Sequence, residues 1–392
     1  MTNILLKMRV STPGDAQHAE AEEEILNVQS RFAKILSMNL DAAEKKQIPE
    51  LTQQLAQKLI DRIDTIPLFA HAYSLLGNFT YGTYRPSDLL TYAFEHELDG
   101  VCIHLLDGEE RSLGQASDEE LREFGATAHQ LGLKVHLEIS STRKTDLDEV
   151  VRIARILNVE HIRVYSRYEG LLSEVLTMVD SDLQYLIVLA EKYDLQFYFE
   201  QHEEFKSFEI AAILERANHP RLHALFDFGN MINAYERPLD ALNHLAPHIG
   251  QVHLKGIKIM PESGGFGHRG VLQGSDDDDM PSPRMLLDLL LLGEDEPQLI
   301  AFALEQENHY RAPAFRRADD PEDPFIAYRD LSTTDLPASL TLDQMLVEEP
   351  QWAVNQLTYV RTVLAQLREL AMCRLESASE DAARNETLQE TC

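Results

Sequence analysis

Four side chains able to bind a cation or move a proton each close an apolar run. Glu200 ends FYFE, Asp227 ends LHALFD, His253 ends QVH and Glu305 ends AFALE. The first three are 27 and 26 residues apart, the length of one strand–helix–strand unit, and Glu305 lies 52 further on, past a Gly-rich insertion. At the carboxyl ends of successive parallel strands, two Glu, one Asp and one His would converge on one point at the mouth of a barrel. That mostly hard donor set suits an octahedral divalent cation.

The elements that must position these residues follow from apolar periodicity. Short apolar runs at 67–74, 98–106, 133–140, 161–166, 195–202, 221–229, 249–256 and 299–307 alternate with amphipathic helical patterns, among them 86–97, 118–131, 146–157, 182–194 and 207–217. Eight strands in strict alternation with helices predict a parallel (β/α)8 barrel, because right-handed crossovers close such a sheet. Side chains alternate along a strand, so Glu200 shares a face with His202, His253 with Lys255, and Glu305 with Glu307. His71, His104, His136, Glu138 and Arg163 have inward parity on the first four strands, and polar groups inside a barrel need partners.

Outside the alternation, residues 1–65 read as a helical extension with no strand, 66–372 as the barrel with its closing helix, and 373–392 as a disordered acidic tail. The closing helix is expected over 349–370. The insertion PESGGFGHRGVLQGSDDDDMPSP after the seventh strand reads as an irregular lid or substrate loop. Its Asp276–Asp279 run lacks the spaced ligands of a calcium loop and reads as a solvated turn before a helix.

Composition removes several function classes. A net charge of −31 argues against nucleic acid and against an anionic membrane surface, both of which call for a basic footprint. Three scattered cysteines suit reduced thiols in a cytoplasmic protein, and no signal peptide or membrane-length apolar run is read. Neither a Gly-rich phosphate loop after a strand nor a G-x-S-x-G nucleophile elbow occurs.

EQH after one strand, DFGN after the next, VHLK after the third and LEQE after the last resemble the sugar isomerase and epimerase superfamily with a xylose-isomerase-like TIM barrel. The resemblance covers about 66–310. It implies a metal held by Glu200, Asp227, His253 and Glu305, with manganese the expected ion and magnesium or cobalt as alternatives. It also implies that Glu200 and Glu305 move a proton on opposite faces of the substrate carbon. Such a cation polarises a ketone and its neighbouring hydroxyl and stabilises the enediolate formed when the α-proton leaves. RGVLQG resembles an Arg–Gly segment whose arginine grips substrate hydroxyls, making Arg269 a substrate-binding candidate beside His202, Asn230 and Lys255.

Lys206, Asn230 and Gly256 stand where many epimerases carry Glu, His and an acid, departures that bear on which sugar is used. The function expected is a divalent-metal-dependent isomerase or epimerase of a ketose-like carbohydrate. A dehydratase, lyase or decarboxylase of a keto-sugar or keto-acid shares the enediolate chemistry, and an abasic-site endonuclease on the same barrel conflicts with the charge. The partners expected are a small carbohydrate substrate and, by the resemblance, further copies of the chain in a homo-oligomer.

Overall fold

The eight apolar runs become eight parallel strands: β1 (Leu68–His71), β2 (Gly100–His104), β3 (Lys134–Ile139), β4 (His161–Val164), β5 (Gln196–Glu200), β6 (Leu222–Asp227), β7 (Ile249–Leu254) and β8 (Phe302–Leu304). In this computed structural model, which describes residues 13–328, 333–334 and 336–390, β1 pairs with both β2 and β8 and the barrel closes. Helices surround it as the alternation predicts. Those over Lys144–Leu157, Leu172–Tyr193 and Ser207–Ala217 each stop at an Asn or Asp in the left-handed conformation, Asn158, Asp194 and Asn218, which tolerate that geometry through their short polar side chains.

One irregularity in the barrel matters for the site. Along β6 and β7, Ala224 pairs with Ile249 but Leu225 pairs with Gln251, so Gly250 is an extra residue in a bulge. A Cβ at Gly250 would lie 2.8 Å from the Tyr198 ring. Beyond the bulge the strands resume in register, with Asp227 opposite His253.

The insertion expected to be irregular is instead a β-hairpin, Gly256–Glu262 with Gly265–Val271. Tyr310–Ala312 and Thr333–Thr334 extend it to a four-stranded antiparallel sheet. Its glycines obscured the strand signal, since glycine has low β-propensity. The packing requires at least one of them, because a Cβ on Gly270 would run into the carbonyl oxygen of Glu307. The Asp run is also not a uniformly solvated turn. Asp276 and Asp277 are exposed, but Asp278 is buried, accepting from the backbone N–H groups of Ile257 and Met280 (both 3.1 Å) through Oδ1 and of Gly274 (2.8 Å) through Oδ2. Burial pushes its carboxyl up to about 6 against those three donors.

The closing helix is longer than expected, running from Leu342 to Glu390 with Pro350 inside it, and it continues through the segment expected to be a disordered tail. Two compact units share this helix: one spans 65–361 and includes the barrel, and the other joins the N-terminal segment before Thr65 to the helix from Thr362 onward. Within the second unit, the helices Pro13–Leu36 and Gln53–Thr65 meet the C-terminal helix. Arg368 forms a two-pronged pair with the Asp64 carboxylate (2.6 and 3.0 Å), and Arg374 donates to the Leu51 carbonyl at 3.0 Å. Among the described residues no helix is long and apolar enough to cross a membrane.

Replacing Asp278 with alanine strands three buried N–H groups, at a cost of about 2–4 kcal/mol. Urea denaturation is expected to show that loss for Asp278→Ala and an unchanged midpoint for the exposed Asp276→Ala.

Candidate active site

Barrel strands carry their last inward side chains to the carboxyl-terminal mouth, and the four ligand-type residues arrive there together. Glu200 and Asp227 are the final residues of β5 and β6, His253 is one short of the end of β7, and Glu305 follows β8 directly. All four are exposed by 3% or less. His253 Nδ1 lies 3.5 Å from Glu305 Oε2 and 3.9 Å from Glu200 Oε1. Ligand-type atoms of Glu200, Asp227 and His253 all fall within 4.8 Å of one another.

Surrounding groups orient each of them. Asp227 Oδ1 accepts from the backbone N–H of Gly229 (2.7 Å) and Asn230 (2.9 Å), which leaves Oδ2 facing inward. Asn230 Nδ2 donates to Glu200 Oε1 at 3.2 Å. His71 Nδ1 accepts the Tyr73 N–H, so its proton is on Nε2, which donates to Glu138 at 3.1 Å. His253 Nε2 faces Glu138 Oε1, also at 3.1 Å, so an ion bound at Nδ1 would leave the imidazole proton on Nε2. Without an ion, burial works against the charge, but Glu305 and Glu138 outweigh it and hold the imidazolium well above the usual histidine range. Arg163 bridges the two glutamates, with Nη2 3.0 Å from Glu138 Oε2 and Nε 3.0 Å from Glu200 Oε2.

These residues fit a divalent ion. Glu200 Oε2, Asp227 Oδ2, His253 Nδ1 and Glu305 Oε2 are all buried without a well-aligned hydrogen bond, although the Arg163 guanidinium stands beside Glu200 and the Lys255 ammonium beside Asp227 and Glu305. Buried polar atoms ordinarily find partners, and four such acceptors aimed at one another call for a shared cation. Part of that charge is met by Lys255, whose Nζ lies 3.0 Å from Asp227 Oδ2, 3.1 Å from Glu305 Oε2 and 2.8 Å from Glu307 Oε2. Burial alone would favour the neutral amine, but Asp227, Glu305 and Glu307 hold the Lys255 ammonium well above the usual lysine range.

Electrostatics separate the two glutamates. Burial raises Glu200 to about 7, more than Arg163 and His253 lower it. Burial acts the same way on Glu305, but there Lys255, His253 and His71 outweigh it and keep the carboxyl well below its usual range. Carboxyl groups pushed apart in this way divide naturally into an acid and a base.

The cavity at the mouth is lined by Glu200, Glu305, His202, Asn230, Lys255 and Glu307 together with Arg163 and Arg167. A second chamber, over the ends of β1 to β3, shares Tyr73, Arg167, Glu307, Tyr310 and Tyr328 with it. His202 stacks on Tyr165 with ring centroids 3.9 Å apart, and its Nδ1 lies 3.6 Å from Glu204 Oε2. Lys206 stands at the start of the helix Ser207–Ala217, its backbone N–H donating to Glu209 at 2.7 Å, and the acids here that line the cavity are Glu203 and Glu204.

Arg269 is not brought to this cavity. It sits in the hairpin opposite Lys258 and Arg311. The neighbouring His268, on the other face of that strand, is fully buried with its Nδ1 2.6 Å from Asn233 Oδ1, and it does not line the cavity either. Strand parity marked His71, Glu138 and Arg163 as inward-facing without showing that they form one network. Arg167, Tyr310 and His268 carried no signal, because loops and a Gly-rich hairpin position them. Because Glu138 sets the orientation of His253, Glu138→Gln is expected to weaken manganese binding by about 10- to 100-fold, measured by titration calorimetry.

The family model described as "Xylose isomerase-like TIM barrel" matches residues 90–290. The uncharacterized protein YihM of Escherichia coli (strain K12) is 44% identical over 316 residues, covering 81% of this chain and 96% of that protein. The 3-oxo-isoapionate decarboxylase of Pectobacterium atrosepticum is 25% identical over 164 residues, covering 41% of this chain and 58% of the decarboxylase. Among solved structures, a xylose isomerase-like TIM barrel protein from Mycobacterium smegmatis in complex with magnesium superposes with a TM-score of 0.51 at 12% identity, over 79% of this chain and 99% of that one. Sequence match and barrel topology agree, and the chain belongs to the xylose isomerase-like TIM barrel family.

Proposed function

We propose that this protein is a divalent-metal-dependent isomerase or epimerase of a ketose-like carbohydrate. The observation that carries the reading is the pair Glu200 and Glu305. They line one cavity, each has a buried oxygen faced by a cationic side chain, Arg163 or Lys255, and their surroundings push their proton affinities in opposite directions. Glu200, Asp227, His253 and Glu305 would hold the ion, manganese by preference with magnesium or cobalt also suited to the donor set. Bound there, the cation supplies Lewis-acid polarisation of the substrate carbonyl and its neighbouring hydroxyl.

The remaining work falls to the chain's own side chains. Glu305, kept ionised, takes the proton from the carbon beside the carbonyl, and the C–H electron pair moves into the enediolate. Glu200, carrying a proton, delivers it to the opposite face of that carbon. Water then returns both carboxyl groups to their starting states. Lys255, Asn230 and His202 line the same cavity and can hydrogen-bond substrate hydroxyls. Asn230 cannot itself shuttle a proton, which leaves that task to the two glutamates. A net charge of −31 supports a small polar substrate over nucleic acid, and the few scattered cysteines are consistent with a cytoplasmic setting.

A second reading rests on the decarboxylase relative: the same enediolate can be reached by losing carbon dioxide from a keto-acid, or can lead on to loss of water. Heavy water separates the two. Incubating ketoses and keto-acids with enzyme and manganese, isomerase chemistry exchanges the α-proton without net loss of mass, whereas the second reading releases carbon dioxide or water. Glu200→Gln and Glu305→Gln are each expected to slow exchange by about 100- to 10,000-fold, and EDTA to stop it until manganese is restored. Undiminished exchange in Glu305→Gln would remove the proposed base.

A further inference from the structure

Below the four residues at the mouth lies a second cluster of ligand-type atoms. His71, Glu138 and His253 also bring one such atom each within 4.8 Å of one another, and His253 belongs to both clusters. Two adjoining clusters that share a histidine resemble a two-ion centre, in which a pair of cations about 3.5–4 Å apart clamps the attacking and leaving oxygens. One side chain stands in the way. Arg163 is 2% exposed and reaches both clusters, facing Glu138 Oε2 with Nη2 and Glu200 Oε2 with Nε, each at 3.0 Å. Its guanidinium carbon lies 5.0 Å from the centroid of the Tyr165 ring, and Nη1 points to the Ile139 carbonyl at 3.4 Å.

We propose that the Arg163 guanidinium takes the place of a second cation, so that the centre binds one divalent ion and the His71–Glu138 half is closed to metal. The inference rests on the metal-dependent reading above and adds to it the number of ions and a positioning residue. A carboxylate in a barrel interior needs a counter-charge, and here two of them face the same guanidinium. The planar fork lets one side chain face both carboxylates at once, and it is the positive charge between them that keeps a second ion out. His71 is committed on both ring nitrogens, Nδ1 to the Tyr73 N–H and Nε2 to Glu138, so it offers no lone pair to an ion without turning. Removing the guanidinium leaves Glu200 without its counter-charge and Glu138 facing only His71 and His253. Once the His71 ring turns to free a nitrogen, the two carboxylates and that nitrogen form a set that recruits a divalent ion. Arg163 also lines the cavity, so its charge remains beside the substrate whatever the metal load.

The test counts ions in the full-length protein. Wild type, Arg163→Lys and Arg163→Met are loaded with manganese, freed of loose ion by gel filtration, and measured by elemental analysis, native mass spectrometry and electron paramagnetic resonance. One ion with an uncoupled signal is expected for wild type and for the charge-retaining lysine variant. Arg163→Met is expected to take two ions with a spin-coupled signal, and to return to one when Glu138→Gln is added. Two ions in wild type would overturn the proposal, as would one ion in a folded Arg163→Met. If Arg163→Met does not fold, Arg163→Gln replaces it and the same counts decide. No ion in wild type would overturn the metal reading itself, an outcome distinct from a wrong count.

Discussion

Glu138 is completely buried inside the barrel, and an ionised carboxylate is tolerable there only because three basic side chains enclose it. His71, Arg163 and His253 all approach it within 3.1 Å. Burial works against the charge, but Arg163, His71 and His253 outweigh it and hold the carboxyl well below its usual range. Each partner is oriented in return. His253 is turned so that Nδ1 faces the mouth, Arg163 is extended so that its other edge meets Glu200, and His71 is held between Glu138 and its own downstream backbone. The geometry of the cavity is thus set one layer beneath it, by a charge that cannot be moved without exposing another.

The backbone supplies the second constraint. A closed barrel fixes where each strand ends, and the bulge at Gly250 restores register so that Asp227 and His253 sit side by side. The hairpin after β7 belongs to the same arrangement. Its strand Gly265–Val271 pairs with Tyr310–Ala312, just beyond Glu305 and Glu307, and buries His268 while Arg269 takes the other face. The insertion is therefore ordered structure beside the strand that follows Glu305 and Glu307, anchored by the buried Asp278, which gathers three backbone N–H groups.

Local reasoning reached most of the barrel because the strand runs are apolar, bounded and separated by helices of clear period. Glu200, Asp227, His253 and Glu305, which the closed barrel brings together, stand out in the sequence as well, since a ligand-type residue that closes an apolar run is visible without any tertiary information. Local reasoning missed the hairpin, where five glycines between Gly264 and Gly274 suppress strand propensity although the packing demands small residues. It also treated four consecutive aspartates alike, because a run of like charges carries no sign of which member turns inward.

The alternating order of elements, the parity of each strand and the identity of the groups that end them follow from the residue pattern, because these depend on periods of two and 3.6 residues. Which of those groups share a charge emerges only when the barrel closes. That Arg163 meets both Glu138 and Glu200, that Lys255 pairs with Asp227, Glu305 and Glu307, and that Arg269 stands away from the cavity are consequences of barrel closure and loop path. Electrostatic pairing falls steeply with distance and burial, and neither quantity exists until the chain has closed on itself.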